Sequence, residues 1–248
     1  GLGHPCRLVL ACSGCKFVEK VYGRPRPGDP TPGDWFGKKH SLGMAVPNLP
    51  YVVDGDIMLS ETLAVIRYIC ETRADWLLGE GRAERARQDS LLHRCHFDNT
   101  NLRSLCYDFI VGTGFQRGDG SRQDSLRFNR EAFDVKGFAR SRAEVMLAEV
   151  RPEGFLVGKK HTAADLFLYE HLALCRCVDE ALEDEVPAAK AFRERIEAIP
   201  EVKAYREGGD WIEWPLNAFF CPINNTPPDA AANPEAGGGM PYRPMPPR

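Results

Sequence analysis

From Asn48 the chain reads Asn48-Leu49-Pro50-Tyr51-Val52-Val53-Asp54-Gly55, turns apolar again over 57–59, and continues through Ser60-Glu61-Thr62 into an apolar helical run. Few backbones satisfy that order. A short strand enters through a proline, a hairpin turn at Asp54-Gly55 sends the chain back as a second short strand, and a helix opens directly after it with an acid and a hydroxyl at its N-terminus. An X-Pro bond at a strand entrance is a place for a cis peptide, and the Leu49–Pro50 bond is expected to be cis. A strand entered that way leaves a backbone edge with which an extended peptide can pair. The helix N-terminus beside it offers N–H groups and a positive dipole end to a carboxylate. These parts together suit a small extended peptide that carries an α-carboxylate.

The rest of the chain divides in two. Residues 1–74 alternate helix and strand: Leu8, Val9 and Leu10 sit in a helix that Gly14 stops, 17–22 alternates apolar and polar as a half-buried strand does, and 23–34 is a Pro- and Gly-rich loop. From about residue 80 to 215 the period is helical. Leu91, Leu92, Cys95, Asn99, Leu102, Leu105, Cys106 and Phe109 trace one face, and a second helix is expected over about 127–150. A third helix starts at Thr162 with Asp165 in a capping-box position, and Pro187 and Pro200 stand where helices begin. The Gly-rich segment 111–124 contains Arg117-Gly118-Asp119, read as a solvated turn, and Gly112-Thr113-Gly114 is too short for a nucleotide loop. Residues 216–248 form an extended tail, proline-rich from 222, expected to be disordered or polyproline-II when alone. Tyr242, Met240 and Met245 are its anchors if it docks on a neighbouring surface.

Composition narrows the function. With 248 residues the chain holds one large domain or two small ones. A net charge of -3 and a pI near 6.1 argue against non-specific nucleic-acid binding. No apolar stretch approaches the roughly 18 residues of a membrane helix. Gly1-Leu2-Gly3-His4 is not a translation start, so the N-terminus is expected to be processed, cut or left off. The nine cysteines are odd in number and irregular in spacing, as free thiols in a reducing compartment are. Cys12-Ser13-Gly14-Cys15 is formally C-x-x-C, but it falls at a helix end, where a structural reading outweighs a redox one. His93 and His96 flank Cys95 without a further ligand at metal spacing, so no metal is expected.

Several segments in order resemble one family. Gly1-Leu2-Gly3-His4-Pro5-Cys6, Trp35-Phe36-Gly37-Lys38-Lys39, the run 47–55, Glu61-Thr62-Leu63-Ala64, and Gly158-Lys159-Lys160-His161-Thr162-Ala163-Ala164-Asp165-Leu166 resemble the cytosolic glutathione transferases, nearest the mu class. The resemblance implies a thioredoxin-like α/β domain followed by an all-helical domain. It implies glutathione as substrate or ligand, a hydrophobic electrophile as its acceptor, and a homodimer or larger assembly. Trp35 and Lys39 match residues that hold the glycine carboxylate, Asn48 and Leu49 (before Pro50) match backbone partners of the cysteinyl unit, and Glu61 and Thr62 match holders of the γ-glutamyl group. Tyr107 matches a tyrosine that overhangs the electrophile and acts as proton donor. The thiol-activating tyrosine of the family lies a few residues before the Gly-Leu-x-His segment, which here begins the sequence, so that tyrosine and the first strand lie outside it. Cys6 matches an apolar core position. A gap-free count places the acid that reaches into the partner subunit on Phe97, with Asp98 its neighbour. A cytoplasmic address follows by resemblance, or an organelle if a presequence has been removed. An alternative stays open: the same fold kept as a catalytically silent structural subunit.

Overall fold

The computed structural model describes residues 1–20, 22, 33–110, 134–209 and 211–212, with backbone alone for 33, 34, 36 and 107–110. The loop over 23–32, the Gly-rich segment 111–124 and the tail from 213 lie outside the described residues.

Helix α1 (Gly3–Ser13) buries His4, Pro5, Cys6, Leu8, Val9 and Cys12 along one side and ends at Gly14, whose φ of 68° lets its N–H close on the Ala11 carbonyl. The segment after it corrects one expectation. Residues 15–20 form no strand; Phe17 is 39% and Val18 83% exposed. Alternation supplies a face, but a strand also needs a ladder partner for its N–H and C=O groups, and the described residues contain one sheet of two strands, β1 (Tyr51–Asp54) and β2 (Ile57–Ser60). The segment is held by side chains instead: Arg7 pairs with Glu19, and Tyr22 reaches Tyr51.

The hairpin pairs Val52 with Leu59 and Val53 with Met58, with Gly55 at φ 58° in the turn. Val52 and Leu59 pack on the core, whereas Val53 and Met58 face outward. Its turn is pinned to α3 (Thr62–Arg73), because Asp54 Oδ2 accepts from Tyr68 Oη at 3.0 Å and from Arg73 Nη2 at 2.7 Å. The Leu49–Pro50 peptide is cis. On α3 the stripe Val65, Ile66, Ile69 and Cys70 is buried, and it packs on α1.

The remaining helices are α2 (Gly33–Lys38), α4 (Gly81–Ile110), α5 (Val135–Leu147), α6 (Ala163–Val178), α7 (Leu182–Glu185), α8 (Pro187–Glu197) and α9 (Pro200–Glu207). Both α8 and α9 start on a proline, whose missing N–H costs nothing in a first helical turn. Helix α6 is buried nearly all round, and α4, α5, α1 and α8 pack against it. Its start is fixed by Asp165. One carboxylate oxygen accepts from the Thr162 N–H and hydroxyl at 2.7 and 2.9 Å, the other from the Leu156 N–H at 2.8 Å. Burial pushes the Asp165 carboxyl up to about 6, against these hydrogen bonds, which favour its ionised form.

Charge is buried between α1, α4 and α6. Glu170 is fully enclosed; it accepts from His4 Nδ1 at 2.7 Å and lies 3.0 Å from the Gly1 nitrogen and 3.5 Å from Arg103 Nη2. Burial alone raises its carboxyl, but the His4 hydrogen bond and the Arg103 guanidinium act against burial and favour the ionised form. The next residue on α6, His171, is equally enclosed, its Nε2 3.6 Å from Cys175 Sγ. Burial lowers its imidazole to about 4, with Asp98 and Glu170 raising it and Arg103 and Arg142 lowering it. The unfolded chain therefore takes up a proton at His171 that the fold refuses, and stability is lost as pH falls from the ordinary histidine value toward 4. Asp165 acts in the opposite sense, so the effect is read as a difference. Between about pH 7 and pH 5 the wild type is expected to lose about 2 kcal/mol more stability than His171→Gln in urea titrations. Equal losses in the two proteins would show that His171 titrates freely.

Candidate functional site

Two pieces of backbone meet at the site: the run through Asn48 to Pro50 and the N-terminus of α3. The first turn of α1 closes the third side. A Cβ placed on Gly3 would stand 3.8 Å from Pro50 Cβ, and the Thr62 hydroxyl donates to the Leu2 carbonyl at 3.4 Å. Thr62 is buried with its hydroxyl turned to α1, so what it presents to a carboxylate is its backbone N–H. Glu61 is the only non-glycine residue at positive φ among the described residues, at 74°, and its carbonyl accepts from Val65 N to open the helix. Backbone held in such a region is strained and persists where the surroundings dictate it. The Glu61 side chain makes no cap on α3. It points back across the gap, where its Oε1 accepts from Asn48 Nδ2 at 3.2 Å. The first turn of α3 thus carries no cap from the Glu61 side chain, and N–H groups of such a turn suit an anion.

On the other flank Trp35 of α2 lies parallel to Tyr51, 6.2 Å between ring centres and 19° between planes, and meets Tyr22 edge-on at 5.1 Å. The Tyr22 and Tyr51 hydroxyls share a hydrogen bond of 2.6 Å. Burial and that bond push the Tyr51 phenol up to about 12, so it stays protonated and acts as scaffold. Lys39 is half-buried in a short 3₁₀ turn, Lys39–Ser41, directly after α2. The structure therefore joins Asn48, Leu49 and Glu61 by direct bonds, sets Pro50 and Thr62 against α1, and sets Trp35 against the residue that follows Pro50. Tyr107 lies on α4, but its side chain is outside the described residues.

Other candidates fall away from the site. Cys6 and Cys12 are in the core, and burial pushes both thiols up to about 12, far from a reactive thiolate. Cys15 is half-buried, and its sulfur accepts from the Ser13 hydroxyl at 3.1 Å. His93 Nδ1 bonds the Asp89 carbonyl, and His96 packs edge-on against Phe167. Among the described residues no group of three His, Cys, Asp or Glu side chains is placed to hold a metal, and no helix is long and apolar enough to cross a membrane. Phe97 points outward at 60% exposure, while Asp98 is buried on Arg94 Nε at 2.7 Å with Arg142 at 4.0 Å. The Glu170 cluster and the Tyr22–Trp35–Tyr51 stack were not anticipated. The first had a signal, a glutamate inside the apolar run of α6.

A small α/β layer whose hairpin is entered through a cis-proline, standing before an all-helical domain, is the architecture of glutathione transferases. The solved glutathione S-transferase of Ascaris lumbricoides matches it with a TM-score of 0.64 at 20% identity, over 84% of this chain and 92% of that one. A family profile described as glutathione S-transferase, C-terminal domain, matches residues 139–209. The Fasciola hepatica glutathione S-transferase class-mu 26 kDa isozyme 51 is 30% identical over 225 residues, covering 89% of this chain and 90% of its own. The Homo sapiens glutathione S-transferase Mu 3 is 27% identical over 92% of both chains. The chain belongs to the glutathione S-transferase family.

Proposed function

We propose that this protein binds glutathione across the Leu49 edge and the N-terminus of α3, and joins the glutathione sulfur to a hydrophobic electrophile. The observation that carries the reading is the pairing of Asn48 with Glu61 across the gap, beside the strained backbone at Glu61. In this reading the Leu49 backbone takes the cysteinyl unit. The Glu61 carboxylate meets the γ-glutamyl ammonium, and the first N–H groups of α3, Thr62 included, meet its carboxylate. Trp35 and Lys39 lie toward the glycine end. Deprotonated glutathione attacks the electrophile, a carbon–sulfur bond forms, and the leaving group departs or a proton is added to the product, with Tyr107 as its donor. The reading brings with it a homodimer or larger assembly and a cytoplasmic address.

Calorimetry on the wild type and Glu61→Ala tests the binding half. The variant is expected to bind glutathione about tenfold more weakly, the worth of one charge-assisted contact near solvent. No heat with the wild type at millimolar glutathione would sink the reading. An assay with a chlorinated aromatic acceptor tests the conjugation half.

A second reading, a silent structural subunit on the same fold, draws support from α4. Asp98, the acid nearest the position expected to reach a partner subunit, is committed to Arg94 inside its own chain, and Phe97 stands outside in its place.

A further inference from the structure

The edge assigned to glutathione is already occupied by the protein itself. The Leu49 N–H, which in the proposed function pairs with the cysteinyl unit, donates to Asn48 Oδ1 at 3.0 Å. The same side chain donates from Nδ2 to Glu61 Oε1 at 3.2 Å. One primary amide thus presents a carbonyl to the edge N–H and an N–H to the carboxylate, the donor and acceptor that an extended peptide would bring to these two groups. The Glu61 end is fixed by its backbone, φ 74° at the start of α3, and the Leu49 end stands two residues before β1. Asn48 is the movable member, exposed on the loop, where a turn about Cα–Cβ breaks both bonds at once.

We infer that Asn48 is a latch on the peptide-binding edge: its side chain mimics the peptide and is displaced when glutathione pairs with Leu49 and Glu61. The inference rests on the proposed function and adds a role to it, because the resemblance places at this position only backbone contacts with the cysteinyl unit. Both bonds lie near solvent, so the latch is weak and opens on the nanosecond scale of exposed rotamers. It lowers affinity by the fraction of molecules in which it is open. Its sign is opposite to that of a ligand contact, since removing the side chain frees the two groups that glutathione needs.

The test compares wild type, Asn48→Ala and Glu61→Gln by calorimetry with glutathione, beside hydrogen exchange at the Leu49 amide. Asn48→Ala is expected to bind about three- to tenfold more tightly than wild type. Its Leu49 amide is expected to exchange faster without glutathione and to slow again with it. Glu61→Gln keeps an oxygen for Asn48 and loses the charge that meets the γ-glutamyl ammonium, so it is expected to bind more weakly, which reports on the site. Weaker binding by Asn48→Ala, with wild-type binding intact, overturns the latch and makes the side chain a direct ligand. So does an equally slow Leu49 amide in that variant. Binding by none of the three overturns the glutathione site and the latch together, while binding by Asn48→Ala alone establishes the latch. Melting temperatures within a degree or two of wild type are expected, because Asn48 is an exposed loop residue.

Discussion

Replacing Glu170 by alanine is expected to cost about 3–5 kcal/mol of stability, a fall in melting temperature of roughly 10 °C. The carboxylate has no exposure, and His4 of α1 and Arg103 of α4 converge on it. A buried ion pair adds little net stability when compared with a well-packed apolar substitute. Removing one member is different, because the other charges stay enclosed and lose their counter-ion. Arg103 is 8% exposed and His4 6%, so neither reaches water without moving α1 or α4. The alanine also leaves a void between three helices, which adds to the loss. Glu170→Gln keeps the shape and one hydrogen bond to His4, and its cost should be smaller. Urea unfolding of the three proteins measures this; a loss below about 1 kcal/mol for the alanine variant would mean that Arg103 and His4 find new partners within the fold.

Asp165→Ala is expected to lose about 2–4 kcal/mol. Here the effect is one of orphaned donors. The Thr162 N–H and hydroxyl and the Leu156 N–H all end on this one carboxylate, in a place where Asp165 and Leu156 are fully buried and Thr162 is 3% exposed. Two consequences are joined: α6 loses its cap, and the loop before it loses its tie to the helix. Asp165→Asn separates them from the effect of charge. The amide oxygen still accepts from one side, so about half the loss should remain, and the pH dependence that the buried carboxyl brings should vanish. If alanine and asparagine variants melt together, the carboxylate's charge and not its geometry sets the cap.

These two residues also mark what can be read from a sequence. The Thr162–Asp165 cap acts over three residues, and hydrogen-bond chemistry at that range is written in the local order of side chains. So are the Gly14 stop of α1, the proline starts of α8 and α9, and the hairpin of 51–60. Glu170 and His4 lie 166 residues apart, and nothing local tells a buried glutamate that its partners are on α1 and α4. The alternation in 17–22 misled for a related reason: it describes which side of a ribbon is apolar, while strand pairing depends on what runs alongside. On α4 the helical period was legible, yet a shift of one residue, about 100° on a helix, separates outward Phe97 from inward Asp98. At the candidate site, the resemblance named the residues, but nothing in the sequence showed the bonds among Asn48, Leu49 and Glu61. They depend on side-chain rotamers that a sequence does not specify.

The hairpin that carries half the site is a two-stranded ribbon, and such ribbons have little stability of their own. What holds this one is Leu59 and Val52 on the core and the Asp54 clasp to Tyr68 and Arg73. The candidate edge therefore belongs to a thinly buried unit, while α6 is buried nearly all round. Sub-global opening at Asp54 unmakes the ligand edge and leaves the helical bundle standing. Under the proposed function, glutathione seated there clamps that unit shut, and the response to occupancy is expected in the ten residues of the hairpin rather than through the bundle.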